Sequence, residues 1–180
     1  GDDPRFGDHH QAKPVNDIDL IELIKTIKSL NNGKDMAGIE LSGSPSFLTG
    51  STVNAGAVGQ ALNLELEEMK KKIDAGAGFF ITPPLFDPSG IQPFLERVAI
   101  SKAKIIPTVL LLKSVGMARY IDRHMDNIKI PSALIDRIQA APDRVSECIK
   151  IASENISMIK NEGFGGVLVS TIGWENRLSE

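Results

Sequence analysis

Cysteine is nearly absent: Cys148 is the only one among 180 residues, so no disulfide can form within the chain. It falls in a stretch, Val145 to Ile159, whose apolar residues recur at helical spacing, with no basic partner evident nearby. That pattern favours a small buried thiol over a nucleophile. No apolar run reaches the ~18 residues a membrane span needs, and the opening GDDPRFGDHH does not read as a signal peptide. A reducing, cytoplasmic setting is expected. Basic excess is missing too: the formal net charge is -3, with Lys and Arg scattered among acids rather than striped, which argues against a nucleic-acid partner. Neither G-x-G-x-x-G after a strand nor G-x-x-x-x-G-K-[ST] occurs, so no dinucleotide fingerprint or P-loop supports an open nucleotide-binding sheet.

What is present suits one soluble domain. The 42% hydrophobic and 24% charged residues are ordinary for a globular protein, and the length is enough to bury a core without staples. Asp17 to Leu30 spaces its apolar residues as a helix, with Asn16 or Asp17 as cap and NNG as its close. Met36 to Leu41 and Phe47 to Val53 are competing candidates for the next strand. Leu62 to Ala75 is the clearest helix, with Leu62, Leu66, Met69 and Ile73 on one face and Gly76 as its C-cap. A strand follows at Gly78 to Ile81, then a helix from about Ile91 to Ser101, a strand at Lys104 to Leu112, and helices at Ser114 to Arg123, Pro131 to Ala140 and Pro142 to Asn161. Gly166 to Thr171 is the last strand.

Strands that are apolar throughout and alternate with helices argue a parallel sheet with helices outside it. A barrel is favoured over a doubly wound sheet, although a full eight-stranded barrel needs ~200 residues or more and about four strands are offered here. Within IDAGAGFFITPPLFD, residues 73 to 87, Pro83 and Pro84 are expected to end the strand, because proline has no N–H for the ladder. That end of a parallel strand is where many folds hold ligands.

Several segments together resemble the methylenetetrahydrofolate reductases, flavin-dependent (βα)8 barrels. They are GDDP at 1 to 4, LSGSPSFLTGSTVNAGA at 41 to 57, LELEEMKKKIDAGAGFFITPPLFD at 64 to 87, IIPTVLLLKSVGMARYI at 105 to 121, IPSALIDRI at 130 to 138 and GVLVSTIGWE at 166 to 175. They occur in the family's order and span nearly the whole chain. The resemblance implies an α/β fold of the (βα)8 TIM-barrel family, present as a partial barrel: one domain over residues 1 to 180, the C-terminal half. It also implies FAD-dependent reduction of 5,10-methylenetetrahydrofolate to 5-methyltetrahydrofolate, with NAD(P)H or a protein as electron donor.

Because the family's R-G-D motif follows its fourth strand, Gly1 and Asp2 place the start of this chain near the middle of the barrel. Strands one to four are then outside it, as are the first-strand glutamate that donates a proton and the arginine before the GD. A half-barrel of this kind is expected to be inactive alone. It would associate with another copy or with the missing half.

Residue by residue, the resemblance puts Gly1 and Asp2 beside the flavin, with Asp2 the catalytic candidate, a carboxylate that disfavours the anionic reduced flavin. Asn54 matches a position near the flavin ring. Lys71 and Lys72 match basic residues that reach the flavin diphosphate, and Glu65 and Glu68 match positions on its ribose or adenine side, Glu68 replacing an amide. For the substrate, Thr82, Pro83, Phe86, Met117 and Ile121 are the matching positions. Three of them depart from the family: Pro83 and Met117 stand where members have glutamine, and Ile121 where they have a stacking aromatic residue. Either a subgroup binds folate differently and takes electrons from another partner, or the barrel acts on another pterin or thioether.

No metal site is expected. Asp8, His9 and His10 lack a spaced further ligand, and His124 with Asp126 reads as an exposed helix end. Trp174, just past the last strand, either lines the ligand end or packs there. A second reading of the whole chain, from another class, is a non-catalytic half-barrel module that dimerises or docks on a corrinoid or iron–sulfur protein.

Overall fold

A computed structural model describes residues 11–13, 17–98 and 104–179. The chain divides into two compact units, one ending at Phe47 and one beginning at Leu48.

The first unit contains α1 (Leu20–Asn31). Its cap is Asp19, two residues later than expected: the Asp19 carboxylate accepts the Glu22 N–H at 2.7 Å, and the Glu22 carboxylate accepts the Asp19 N–H at 3.2 Å. This reciprocal box needs Glu or Gln three residues on, where Asn16 has only the shorter Asp19 and Asp17 has Leu20. Met36 to Leu41 is not a strand; only an isolated bridge joins Lys34 and Glu40. The Asn31 amide closes the segment by donating to the Phe47 carbonyl and accepting the Phe47 N–H, both at 2.9 Å.

The second unit carries a parallel sheet in the order β1 (Gly50–Thr52), β2 (Phe79–Pro84), β3 (Lys104–Leu110), β4 (Leu168–Ser170). Each strand lies beside its successor in sequence, so among the described residues there is no strand-order reversal of the doubly wound kind. That is the arrangement of a barrel wall. β1 and β4 have one partner strand each among the described residues.

Helix α2 (Gly59–Ala75) buries Leu62 and Met69, and Gly76, at φ +130°, ends it. It starts three residues earlier than expected because its cap, Val58, has no side-chain acceptor to mark the spot. Beyond β2, where a helix from about Ile91 to Ser101 is expected, the described residues hold a 3-10 turn (Pro88–Ile91) and α3 (Gln92–Leu95), and 99–101 lie outside the described residues. The Arg97 N–H bonds back to Phe94, three residues away, rather than four, and this tightening ends the α-helix. After β3 come α4 (Val115–His124), α5 (Ser132–Ala140) and the long α6 (Arg144–Asn161).

The main core lies between β3 and these helices. Val109, Leu112, Ile138, Cys148, Ile151 and Ile159 are all essentially inaccessible, and burying each large aliphatic side chain is worth about 1.5–3 kcal/mol. Arg137 of α5 ties α6 by pairing with Glu147 at 2.6 Å and Glu154 at 2.8 Å. Burial pushes the Cys148 thiol up, and the nearby Glu147 carboxylate adds to this.

Contrary to expectation, β2 continues through both prolines. Ile81 pairs with Ile106 and Pro84 with Thr108, so three steps along β2 face two along β3, a bulge. Thr82 and Leu85 both bond towards β3: the Thr108 hydroxyl donates to the Thr82 carbonyl at 2.6 Å, and the Leu85 N–H donates to the Thr108 carbonyl at 2.9 Å. Pro83 and Pro84 occupy the interval between them, where no ladder donor is required. The Thr82 hydroxyl accepts the Thr108 N–H at 3.2 Å and donates to the Pro83 carbonyl at 2.7 Å. Two buried threonine hydroxyls thus stand in for ladder bonds the prolines cannot make.

Candidate functional site

The C-terminal ends of parallel strands point their loops to one face, the usual ligand face of a barrel. Three loop clusters occupy it here.

The first follows β1. The Val53 N–H bonds the Ile81 carbonyl at 3.1 Å, and the Glu65 carboxylate of α2 accepts the Asn54 N–H at 2.9 Å. Val53 and Ala55 are fully buried, which anchors the loop. Beside it lies a cavity of about 610 Å³, lined by Asn54, Val58 and Ala61, by Phe86 and Ile91, and by Ile130. This volume is within the range of small-molecule sites, roughly 300–1,000 Å³. Further down α2, the Lys72 ammonium donates to the Thr52 carbonyl at 3.0 Å. Glu65 and Lys72, both half-buried, therefore converge on β1 from one face of α2. Lys71 and Glu68 are exposed and paired with each other, and the hydrogen bond that the Lys71 ammonium donates to the Glu68 carboxylate, reinforced by that carboxylate's charge, raises the Lys71 pKa.

The second cluster is the proline bulge of β2. Thr82 is buried and its hydroxyl is spent on backbone groups. Pro83 is half-exposed, and Phe86 is buried at the cavity wall.

The third cluster joins the ends of β3 and β4. Lys113 follows the buried run Leu110 to Leu112. Its ammonium donates to the Ile172 carbonyl and sits 5.6 Å from the centre of the Trp174 ring, a cation–π distance. Glu175 accepts the Thr171 hydroxyl at 2.7 Å and the Gly173 N–H at 3.0 Å. These bonds, the Thr171 hydroxyl first and Lys113's charge last, hold the Glu175 carboxyl below its usual range. Ile172 has φ +48°, rare for a β-branched residue, and its side chain is 58% exposed.

Of the residues singled out in the sequence, Asn54 and Phe86 meet at the cavity, Glu65 is one hydrogen bond from Asn54, and Lys72 reaches the same strand. Met117 packs half-buried against the core and Ile121, 5% exposed, belongs to it. Gly1, Asp2, Asp8, His9 and His10 lie outside the described residues. His124 stacks at a tilt on Tyr120, and no group of three or more potential ligands for a metal occurs among the described residues. No helix of the described residues is long and apolar enough to cross a membrane. Lys113 escaped the sequence reading; its only local mark is a lone cation directly after an apolar strand.

The polar groups along β1 match the needs of a nucleotide-bearing cofactor such as FAD. A half-buried carboxylate, a side-chain amide and a half-buried ammonium with N–H bonds beyond the one to Thr52 suit ribose hydroxyls and phosphate oxygens, so the residues present fit the group.

A model of the methylenetetrahydrofolate reductase family matches residues 1–177. No curated protein matches the chain. Among solved structures, a similar one is an uncharacterized protein from Clostridium thermocellum described as binding two copies of 5-methyl-5,6,7,8-tetrahydrofolic acid. The two are 17% identical with a TM-score of 0.46, over 65% of this chain and 45% of that one. The chain thus spans less than half the length of that protein.

Proposed function

Because the chain belongs to the methylenetetrahydrofolate reductase family, matched over residues 1–177, we propose that it supplies the C-terminal half of a barrel that reduces 5,10-methylenetetrahydrofolate to 5-methyltetrahydrofolate with FAD. The observation that carries this reading is the convergence of Asn54, Glu65 and Lys72 on the ligand end and flank of β1.

In this reading Lys72 and Lys71 meet the cofactor diphosphate, Lys71 by exchanging its Glu68 partner for a phosphate oxygen. Glu65 and Glu68 accept hydrogen bonds from its sugar end, and Asn54 presents its amide to the ring. Gly1 and Asp2 approach the pyrimidine edge, where the Asp2 carboxylate opposes negative charge on the ring. When bound, FAD supplies the hydride. Pro83, Phe86 and the half-buried Met117 form the folate side, with Thr82 and Ile121 buried behind them. Pro83 can only pack against a pterin, since it has no side-chain donor or acceptor, so recognition there is by shape and apolar contact. Electrons arrive from NAD(P)H or a protein donor.

Purifying the chain and recording its visible spectrum tests this. Near-stoichiometric flavin absorbance is the expected result. The edges of the sheet favour one rival: β1 and β4 lack an outer partner among the described residues, as in a half-barrel that dimerises or docks on a corrinoid or iron–sulfur protein. A colourless, well-folded dimer would decide for that module.

A further inference from the structure

Ile172 is a branched residue in the left-handed region, and its apolar side chain is exposed. Local propensity opposes this conformation and burial does not compensate for it, so the neighbours must impose it. They are identifiable. From β3, the Lys113 ammonium takes the Ile172 carbonyl and lies over the Trp174 ring. From within the turn, Glu175 takes the Thr171 hydroxyl and the Gly173 N–H. Gly173 itself, at φ +85°, completes the reversal. Lys113 cannot drift, because Leu111 and Leu112 before it are buried.

Strain held by polar clamps at the C-terminal ends of two parallel strands is placed where such folds bind ligands. We infer that Lys113 is a positioning residue for the folate site, acting through the turn Thr171–Glu175, which it and Glu175 hold in a strained shape that presents Ile172 and Trp174 to the ligand. Lys113 need not touch the ligand. Its charge is partly balanced by Glu175, and its hydrogen bond is spent on the backbone. The inference rests on the folate reading above.

Its signature is that affinity falls without a loss of stability. Ile172→Gly removes the steric objection to positive φ, so thermal unfolding of the full chain shifts upward, while affinity for 5-methyltetrahydrofolate, the probe, falls about tenfold, equivalent to 1.4 kcal/mol. Lys113→Met frees the turn, lowers affinity by a similar factor and leaves the unfolding temperature within about 2 °C, less than a 1 kcal/mol change produces in a domain of this size. Lys113→Arg, which keeps the charge and a donor, restores affinity to within about threefold, or 0.7 kcal/mol. Trp174 is the only tryptophan, so its emission reports the turn directly: ligand shifts it in the wild type and not in Lys113→Met. Unchanged affinity in Lys113→Met, or affinity and stability falling together in both Ile172→Gly and Lys113→Met, overturns the inference while leaving the folate reading intact. A wild-type chain that does not bind 5-methyltetrahydrofolate overturns the folate reading and this inference with it.

Discussion

The β2–β3 junction and the β3–β4 junction lie side by side in one sheet and solve opposite problems. At the first, prolines remove backbone donors and buried threonines replace them, leaving a tight bulge that is satisfied internally. At the second, a half-buried lysine and an exposed glutamate hold an unfavourable turn in place. One junction hides its polar groups to stay folded. The other keeps them at the surface and tolerates strain, which is the pattern of a segment shaped for contact rather than for stability.

The largest predicted effect breaks the hidden side. Thr82→Val orphans the buried Thr108 N–H and should cost about 1–3 kcal/mol, read as a lower urea midpoint with an unchanged slope. A cost below about 0.5 kcal/mol, the usual range for surface substitutions, would mean that the bulge does not depend on its hydroxyls. Pro83→Gln comes next. It restores a donor and acceptor at the half-exposed bulge position, and one added hydrogen bond of about 1 kcal/mol should strengthen 5-methyltetrahydrofolate binding about fivefold. No gain in calorimetric titration would place Pro83 away from the pterin.

The smallest effect sharpens the exposed side. The Glu175 carboxyl is depressed in the folded chain, so its contribution is complete above the ordinary carboxyl value of 4.5. It is lost as pH falls through the lower folded value. Trp174 emission should therefore change below pH 4.5 in the wild type and not in Glu175→Gln. The threonine bulge has no titrating group, and near-ultraviolet dichroism of Phe80 and its neighbours should stay flat over the same range.

Much of the fold was legible because it rests on local pattern. Met69 and Leu62 are spaced for one face of α2, the apolar residues from Val145 to Ile159 keep helical spacing within α6, and the apolar run at Ile105 to Leu110 sits in the sheet. What was not legible depended on partners distant in sequence. Pro83 and Pro84 read as a strand end because the residue that rescues them, Thr108, lies in the next strand, its N–H 26 positions from the Thr82 hydroxyl it meets. Lys113 went unmarked because its carbonyl partner is 59 positions away. In the site, Asn54 and Phe86 line one cavity, whereas Ile121 belongs to the same buried cluster as Ile128 and Ile130. Apolar replacement of an aromatic residue permits that burial, and the side chain alone does not announce it.

The central claim, that the ligand ends of these strands form a flavin site, is tested most directly by titrating the chain with FAD and following flavin fluorescence. One equivalent should bind. Lys72→Met should weaken binding about tenfold or more, as loss of a hydrogen bond to a charged group, about 1.5–3 kcal/mol, implies. A chain that leaves FAD fluorescence unchanged, or a Lys72→Met variant that binds as tightly as the wild type, would contradict the account.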